Sequence, residues 1–249
     1  MKEKKRLDIL LVDLGLCSTR HKAQGLIMAG LVLVDEEKID KAGKEVLVTA
    51  RIRILGDQSP YVGRGGMKLA RALQVFPLQV QDAICLDVGA STGGFTDCLL
   101  QNGAGKVYAI DVGYGQLDWK LRSDPSVVVK ERVNMRYLTP QELYGGDDQP
   151  RASLAVIDVS FISLYKILPA VKDCLTVKAD IIALVKPQFE AGPEQVGKGG
   201  IVKDPLVHQE VLDKVRQSAV ELGFTVRGEI ESPIFGADGN KEFLLWLSI

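Results

Sequence analysis

An apolar run at 83–88, a glycine-rich stretch at 89–94, an amphipathic segment at 95–102 and a second apolar run at 107–110 follow one another with few spare residues. That order reads strand, tight turn, helix, strand, and it commits the chain to a parallel α/β sheet. Asp87 sits at the end of the first strand, and Asp111 ends the second, 24 positions later. Glycine lets a backbone turn tightly and approach a ligand closely. An acid at the end of the second strand suits a ribose diol. The spacing is Gly-x-x-x-Gly-Gly, not the dinucleotide pattern, and Asp87 would repel a pyrophosphate. S-Adenosylmethionine carries an ammonium, a sulfonium and a ribose, so it meets these demands better than NAD. The expected donor contacts are Gly89, Ala90, Ser91, Thr92, Gly93 and Gly94 around the methionine part and Asp111 on the ribose. Asp87 is expected on the ammonium, through its own side chain or a water.

Further apolar runs at 127–129, 154–158 and 181–185 fit strands buried on both faces, with helices over 163–171 and 205–222. Two more strands are expected at 225–231 and 242–248. With 249 residues and 46% hydrophobic content, the chain has room for a large domain and a small one. No apolar run of about 18 residues marks a membrane span, and the N-terminus does not read as a signal peptide. The four cysteines form no C-x-x-C pair and read as reduced thiols of a cytoplasmic protein. With only His21 and His208, neither a zinc site nor a histidine-based triad is expected.

The net charge of −1 hides an asymmetry. Residues 1–72 hold 14 Lys and Arg against 9 Asp and Glu, and the remainder holds 17 against 23. A basic head on an acidic body points to a polyanionic partner. In the head, Leu7, Leu10, Leu11 and Leu14 recur at helical spacing, Gly15 stops that helix, and Ser18 or Thr19 caps the next. Short strands are expected at 31–34, 46–48 and 52–54. Arg6-Leu7-Asp8, Gly15 to Arg20, Ala23, Leu26-Ile27, Gly30 to Val32 and Gly43 together resemble an S4 domain, a small RNA-binding module. The resemblance implies phosphate contacts from Arg20 and Lys22; Arg6 either joins them or pairs with Asp8. The expected division is an S4-like domain at 1–59, a linker at 60–66 and the catalytic domain at 67–249.

Four charged residues fall where packing does not explain them. Lys68 opens the helix before the first strand, Asp158 ends the fourth strand, Lys186 ends the fifth and Glu242 opens the last. Ligands of open α/β sheets bind outside the carboxyl ends of the strands, so Asp158 and Lys186 share a crevice with Gly89. The set resembles the Lys-Asp-Lys-Glu tetrad of FtsJ-like ribose 2′-O-methyltransferases. With the S4-like head, Arg64 to Leu69 and Lys186 to Glu190, the chain is similar to the TlyA, or hemolysin A, family. That resemblance implies a Rossmann-like methyltransferase sheet behind an α+β S4 domain. It also implies S-adenosylmethionine as donor and 2′-O-methylation of cytidine in ribosomal RNA. Asn134 is similar in place to the adenine-contact position of such enzymes.

A ribose hydroxyl is a weak nucleophile whose proton must leave as the methyl group arrives. Lysine removes it only in its neutral form, which neighbouring positive charge and desolvation favour. Lys186 is therefore expected as the base, with Asp158 orienting it and Lys68 and Glu242 positioning the ribose. Alternatively, the four form structural ion pairs. Arg64, and Lys198 and Lys203 in the glycine-rich stretch at 187–203, are expected on RNA, although an exposed loop explains the last two equally. Phe161 reads as either core or an adenine stack. The resemblance to the TlyA family, in which subunit choice goes with terminal length, implies the large ribosomal subunit as the expected substrate, since few residues precede Arg6 and the sequence ends directly after its last expected strand. Two competing readings are a non-catalytic RNA-binding or ribosome-assembly factor and a hemolysin-like membrane-active protein.

Overall fold

The computed structural model describes residues 3–17, 19–55, 59–146, 149–236 and 238–249. Of the two candidate caps before the second helix, Ser18 lies outside the described residues. The chain forms two compact units, Met1–Gln58 and Ser59–Ile249.

The small unit comprises β1 (Lys4–Arg6), α1 (Leu7–Asp13), α2 (Arg20–Met28), β2 (Val32–Val34), β3 (Glu37–Ile39), β4 (Glu45–Leu47) and β5 (Ile52–Ile54). Leu7, Leu10 and Leu11 share one face of α1 and pack with Ala23 and Ile27 of α2 and with Val32 and Val34 of β2. Thr19 caps α2, its Oγ1 accepting from the Lys22 amide. Two strands escape the sequence reading. β1 pairs antiparallel with β4, and β3 folds back on β2 through Asp35 and Glu36, both with positive φ.

The large unit opens with α3 (Gly65–Val75), β6 (Ile84–Val88), α4 (Gly94–Gln101), β7 (Lys106–Asp111), α5 (Trp119–Arg122) and β8 (Val127–Glu131). It continues through α6 (Pro140–Tyr144), β9 (Ala152–Ile157), α7 (Leu168–Asp173), β10 (Leu175–Val185), α8 (Pro187–Glu190), α9 (Pro205–Glu221), β11 (Thr225–Glu231) and β12 (Phe243–Ser248). The strands form one seven-stranded sheet in the order β11-β12-β10-β9-β6-β7-β8. β6 to β10 pair in parallel, whereas β12 runs antiparallel between β10 and β11.

Alternation along the strands divides the core. Cys85, Val107, Leu154 and Val156 pack with Leu69 and Ala72 of α3 and Cys98 and Leu99 of α4. Leu86, Val88, Ile110 and Ile157 pack on the opposite face with Leu168 and Val171 of α7 and Val211 and Val215 of α9. From β6 the chain steps outward to β7 and β8; from β9 it steps the other way. The reversal leaves a crevice at the carboxyl ends of β6 and β9, where an open α/β sheet takes its ligand.

Candidate active site

The turn after β6 is shaped by what crosses it. Gly89 has φ +86°, and a Cβ there would lie 2.3 Å from the backbone oxygen of Asp158. The next strand's exit thus demands glycine. Ser91 also has positive φ, and its amide donates to Asp111 Oδ2 at 2.8 Å. Gly113 N donates to Asp111 Oδ1 at 2.6 Å, so the backbone fixes this carboxylate from both sides. Gly93 and Gly94 answer to packing: a Cβ at Gly93 would meet Leu121 at 2.2 Å, and one at Gly94 would lie 2.9 Å from Gly66 N. α3 and α4 therefore meet backbone to backbone, which fixes the start of the helix carrying Lys68.

That contact changes the reading of 60–66 as a linker. Val62 N donates to Asp97 Oδ2 at 2.9 Å, Gln101 Nε2 donates to the Pro60 oxygen, and α3 already begins at Gly65. The segment is docked on α4 within the large unit.

Two adjoining cavities open at the crevice. The smaller, about 210 Å³, is lined by Gly89, Ala90, Ser91, Thr92 and Gly94 together with Asp158, Ser160 and Lys186. The larger, about 480 Å³, is lined by Asp111, Val112, Asn134 and Phe161 among others. Gly89, Ser91, Asp158 and Ser160 border both.

The four charged residues form one connected network at this mouth. Lys68 Nζ lies 2.6 Å from Glu242 Oε2 and 3.9 Å from Asp158 Oδ2. Lys186 Nζ lies 2.6 Å from Asp158 Oδ1 and donates to Ser160 Oγ at 3.0 Å. Lys68 and Glu242 are buried, while Asp158 and Lys186 are partly open. Two ammonium groups thus share one carboxylate facing a cavity. Ser160, which borders both cavities and holds the Lys186 amine, was not singled out from the sequence; its only signal is a polar residue two positions past a charged strand end.

Asp87 lies elsewhere than expected. It points to the α3–α4 face, is wholly buried and lines neither cavity. Its Oδ2 accepts from Thr96 Oγ1 at 2.6 Å, while Oδ1 has no hydrogen-bond partner. Burial pushes the carboxyl up to about 7 against the pull of the Thr96 bond. Gly93 likewise lines neither cavity. Asn134 Oδ1 accepts from Arg136 N, which leaves its amide nitrogen for a ligand. Phe161 is not core: it is 90% exposed, and its ring centroid lies 4.9 Å from that of Phe189.

Among residues expected on RNA, Lys22, Arg64, Lys198 and Lys203 are exposed. Arg6 and Arg20 both pair with Asp8 in the small unit.

A model of the FtsJ-like methyltransferase family matches residues 61–249, and an S4 domain model matches residues 5–52. The chain is an FtsJ-like methyltransferase with an S4 domain. This methyltransferase is 46% identical over 248 residues to the 16S/23S rRNA (cytidine-2′-O)-methyltransferase TlyA of Mycobacterium tuberculosis, covering 99% of this chain and 91% of that protein. It is 52% identical over 245 residues to YqxC of Bacillus subtilis, named as a candidate rRNA methyltransferase, covering 98% and 86%. A solved structure from Streptococcus thermophilus, described as a candidate hemolysin, superposes with TM-score 0.76 at 48% identity, covering 100% and 89%. The methyl donor of this family is S-adenosylmethionine, and the site fits it. Gly89 keeps the turn open where a side chain would block it, and Asp111 is held as an acceptor. Among the described residues no helix is long and apolar enough to cross a membrane.

Proposed function

We propose that this protein methylates the 2′-hydroxyl of a cytidine ribose in ribosomal RNA, with large-subunit rRNA among its substrates, and that it acts in the cytoplasm. The observation that carries the reading is the Glu242–Lys68–Asp158–Lys186 network at the edge of the donor cavity. Gly89, Ala90, Ser91, Thr92, Gly94, Asp111 and Asn134 hold the donor, with Asp87 and Gly93 supporting the turn from below. S-Adenosylmethionine, when bound, supplies a methyl carbon made electrophilic by the positive sulfur.

Lys186 accepts the hydroxyl proton as the ribose oxygen gains its methyl group. Asp158 and Ser160 fix the direction of the Lys186 amine. Lys68, anchored by Glu242, supplies a hydrogen-bond donor that places the ribose. The amine works as a base only when neutral, so arginine cannot replace it. Arg6, Arg20, Lys22, Arg64, Lys198 and Lys203 contact RNA phosphates, which gives affinity and register without reading bases.

The test is methyl transfer from tritium-labelled donor to 23S and 16S rRNA transcripts, with the modified position mapped by resistance to alkaline cleavage. Wild-type protein labels a cytidine ribose. Lys186→Ala and Lys186→Arg lose about a hundredfold or more in rate, while calorimetry shows donor affinity within a few-fold of wild type. An unlabelled transcript, or Lys186→Ala at near-full rate, overturns the reading.

A further inference from the structure

Asp8 is a charged residue with no exposed surface, placed on the first turn of α1. Its carboxylate is the hub of a cluster drawn from three elements. Arg6, which ends β1, donates through Nε to Oδ1 at 3.1 Å and through Nη2 to Oδ2 at 3.0 Å. Arg20, the first residue of α2, donates through Nε to Oδ2 at 2.8 Å, and Gln24 donates through Nε2 to the same oxygen at 2.9 Å. These bonds, that from Arg6 first, hold the Asp8 carboxyl well below the usual carboxylate range, although burial opposes them.

The cluster is not needed to join α1 to α2. Leu7, Leu10, Leu11, Ala23 and Ile27 already do so with apolar contact. Burying a carboxylate is unfavourable unless it is fully paired, and an apolar pair of similar size would serve stability as well. Two arginines converge on one acid, which leaves the trio with an excess positive charge. Both remain half open, with side chains 44% and 53% exposed. A guanidinium has five N–H donors. Arg6 gives two of them to Asp8 and Arg20 gives one, so both keep donors for a further acceptor.

We propose that Asp8 is a positioning residue that sets Arg6 and Arg20 as a paired fork for the phosphodiester backbone of RNA. This rests on the RNA-binding reading of the small unit given above. Asp8 orders two long side chains when the unit folds, so that ordering is not charged against binding. The fixed planes of the two guanidinium groups match phosphate oxygens better than two free side chains would.

Asp8→Asn separates this role from plain electrostatics, because the two predict opposite signs. The substitution makes the small unit more positive, and general attraction then predicts tighter binding to RNA. Loss of the hub predicts weaker binding. The probe is a 23S rRNA transcript, with Kd measured by filter binding on the full chain. The expected result is a Kd raised about tenfold in Asp8→Asn. In an Arg6→Ala/Arg20→Ala background the same change moves Kd by less than about twofold, which a general loss of structure would not spare. Circular dichroism verifies the fold; should Asp8→Asn fail it, Asp8→Glu, which keeps the charge but displaces it, is read by the same criteria. Equal or tighter binding by Asp8→Asn overturns the inference. So does the same weakening without the two arginines, or loss of fold in both variants. A wild-type protein without RNA affinity overturns the RNA reading itself, and this inference with it.

Discussion

Removing the charge from Asp87 should change how stability depends on pH. The carboxyl is wholly buried, with one hydrogen bond from Thr96 and one oxygen unpartnered, and burial raises it from 3.8 to about 7. The native state therefore holds a proton that the unfolded state has already released. Stability contributed by that proton is fully present below about pH 3.8 and is lost as pH rises through about 7. The whole span corresponds to about 4 kcal/mol at 1.36 kcal/mol per pH unit, a large share of the 5–15 kcal/mol typical of a folded domain. Asp87→Asn keeps the shape and cannot ionise. Its urea midpoint should vary less between about pH 5 and about pH 8 than that of the wild type, and the two curves should diverge as pH rises. Both tryptophans, Trp119 and Trp246, lie in the large unit, so their fluorescence reports unfolding of the unit that contains Asp87. Parallel pH profiles for the two proteins would refute the reasoning.

Gly89→Ala places a methyl group 2.3 Å from the Asp158 oxygen at a φ of +86°. Strain of at least about 1–2 kcal/mol, with the clash in addition, should lower the melting temperature by several degrees and abolish calorimetric donor binding. Ser160→Ala removes one of the two groups holding the Lys186 amine. It should lower kcat about tenfold with KM for RNA nearly unchanged, since one hydrogen bond to a charged group is worth about 1.5–3 kcal/mol; an equal change in KM would place Ser160 in binding instead.

The parts of the site readable from sequence are those where a residue breaks a pattern. Asp158 and Lys186 each follow an apolar strand, and a charge in that place calls for a reason other than packing. The β6 turn was readable because its glycines are bracketed by two apolar runs of fixed length. Other features leave no periodic trace. The tie between Asp8 and Arg20 spans a loop, so no spacing rule reveals it. Gly65 and Gly66 read as a linker because glycine disfavours helices. They nevertheless open α3, and at Gly66 the packing leaves no room for a side chain, since a Cβ there would lie 2.3 Å from the Tyr61 ring. β1 and β3 span three residues each, and Glu37-Lys38-Ile39 is too short and polar for alternation to show. β10 extends back to Leu175 through Lys178 and Asp180, polar residues that mask a strand whose apolar half alone stood out.

Lys68 and Glu242 touch across 174 positions of chain, whereas both cavities are walled by residues no later than Lys186. Synthesis therefore delivers the residues of both cavity walls well before the last carboxylate. A nascent chain that stops short of β12 carries every residue of the cavity walls but not the carboxylate that pairs with Lys68, nor the strand that pairs with β10 and β11.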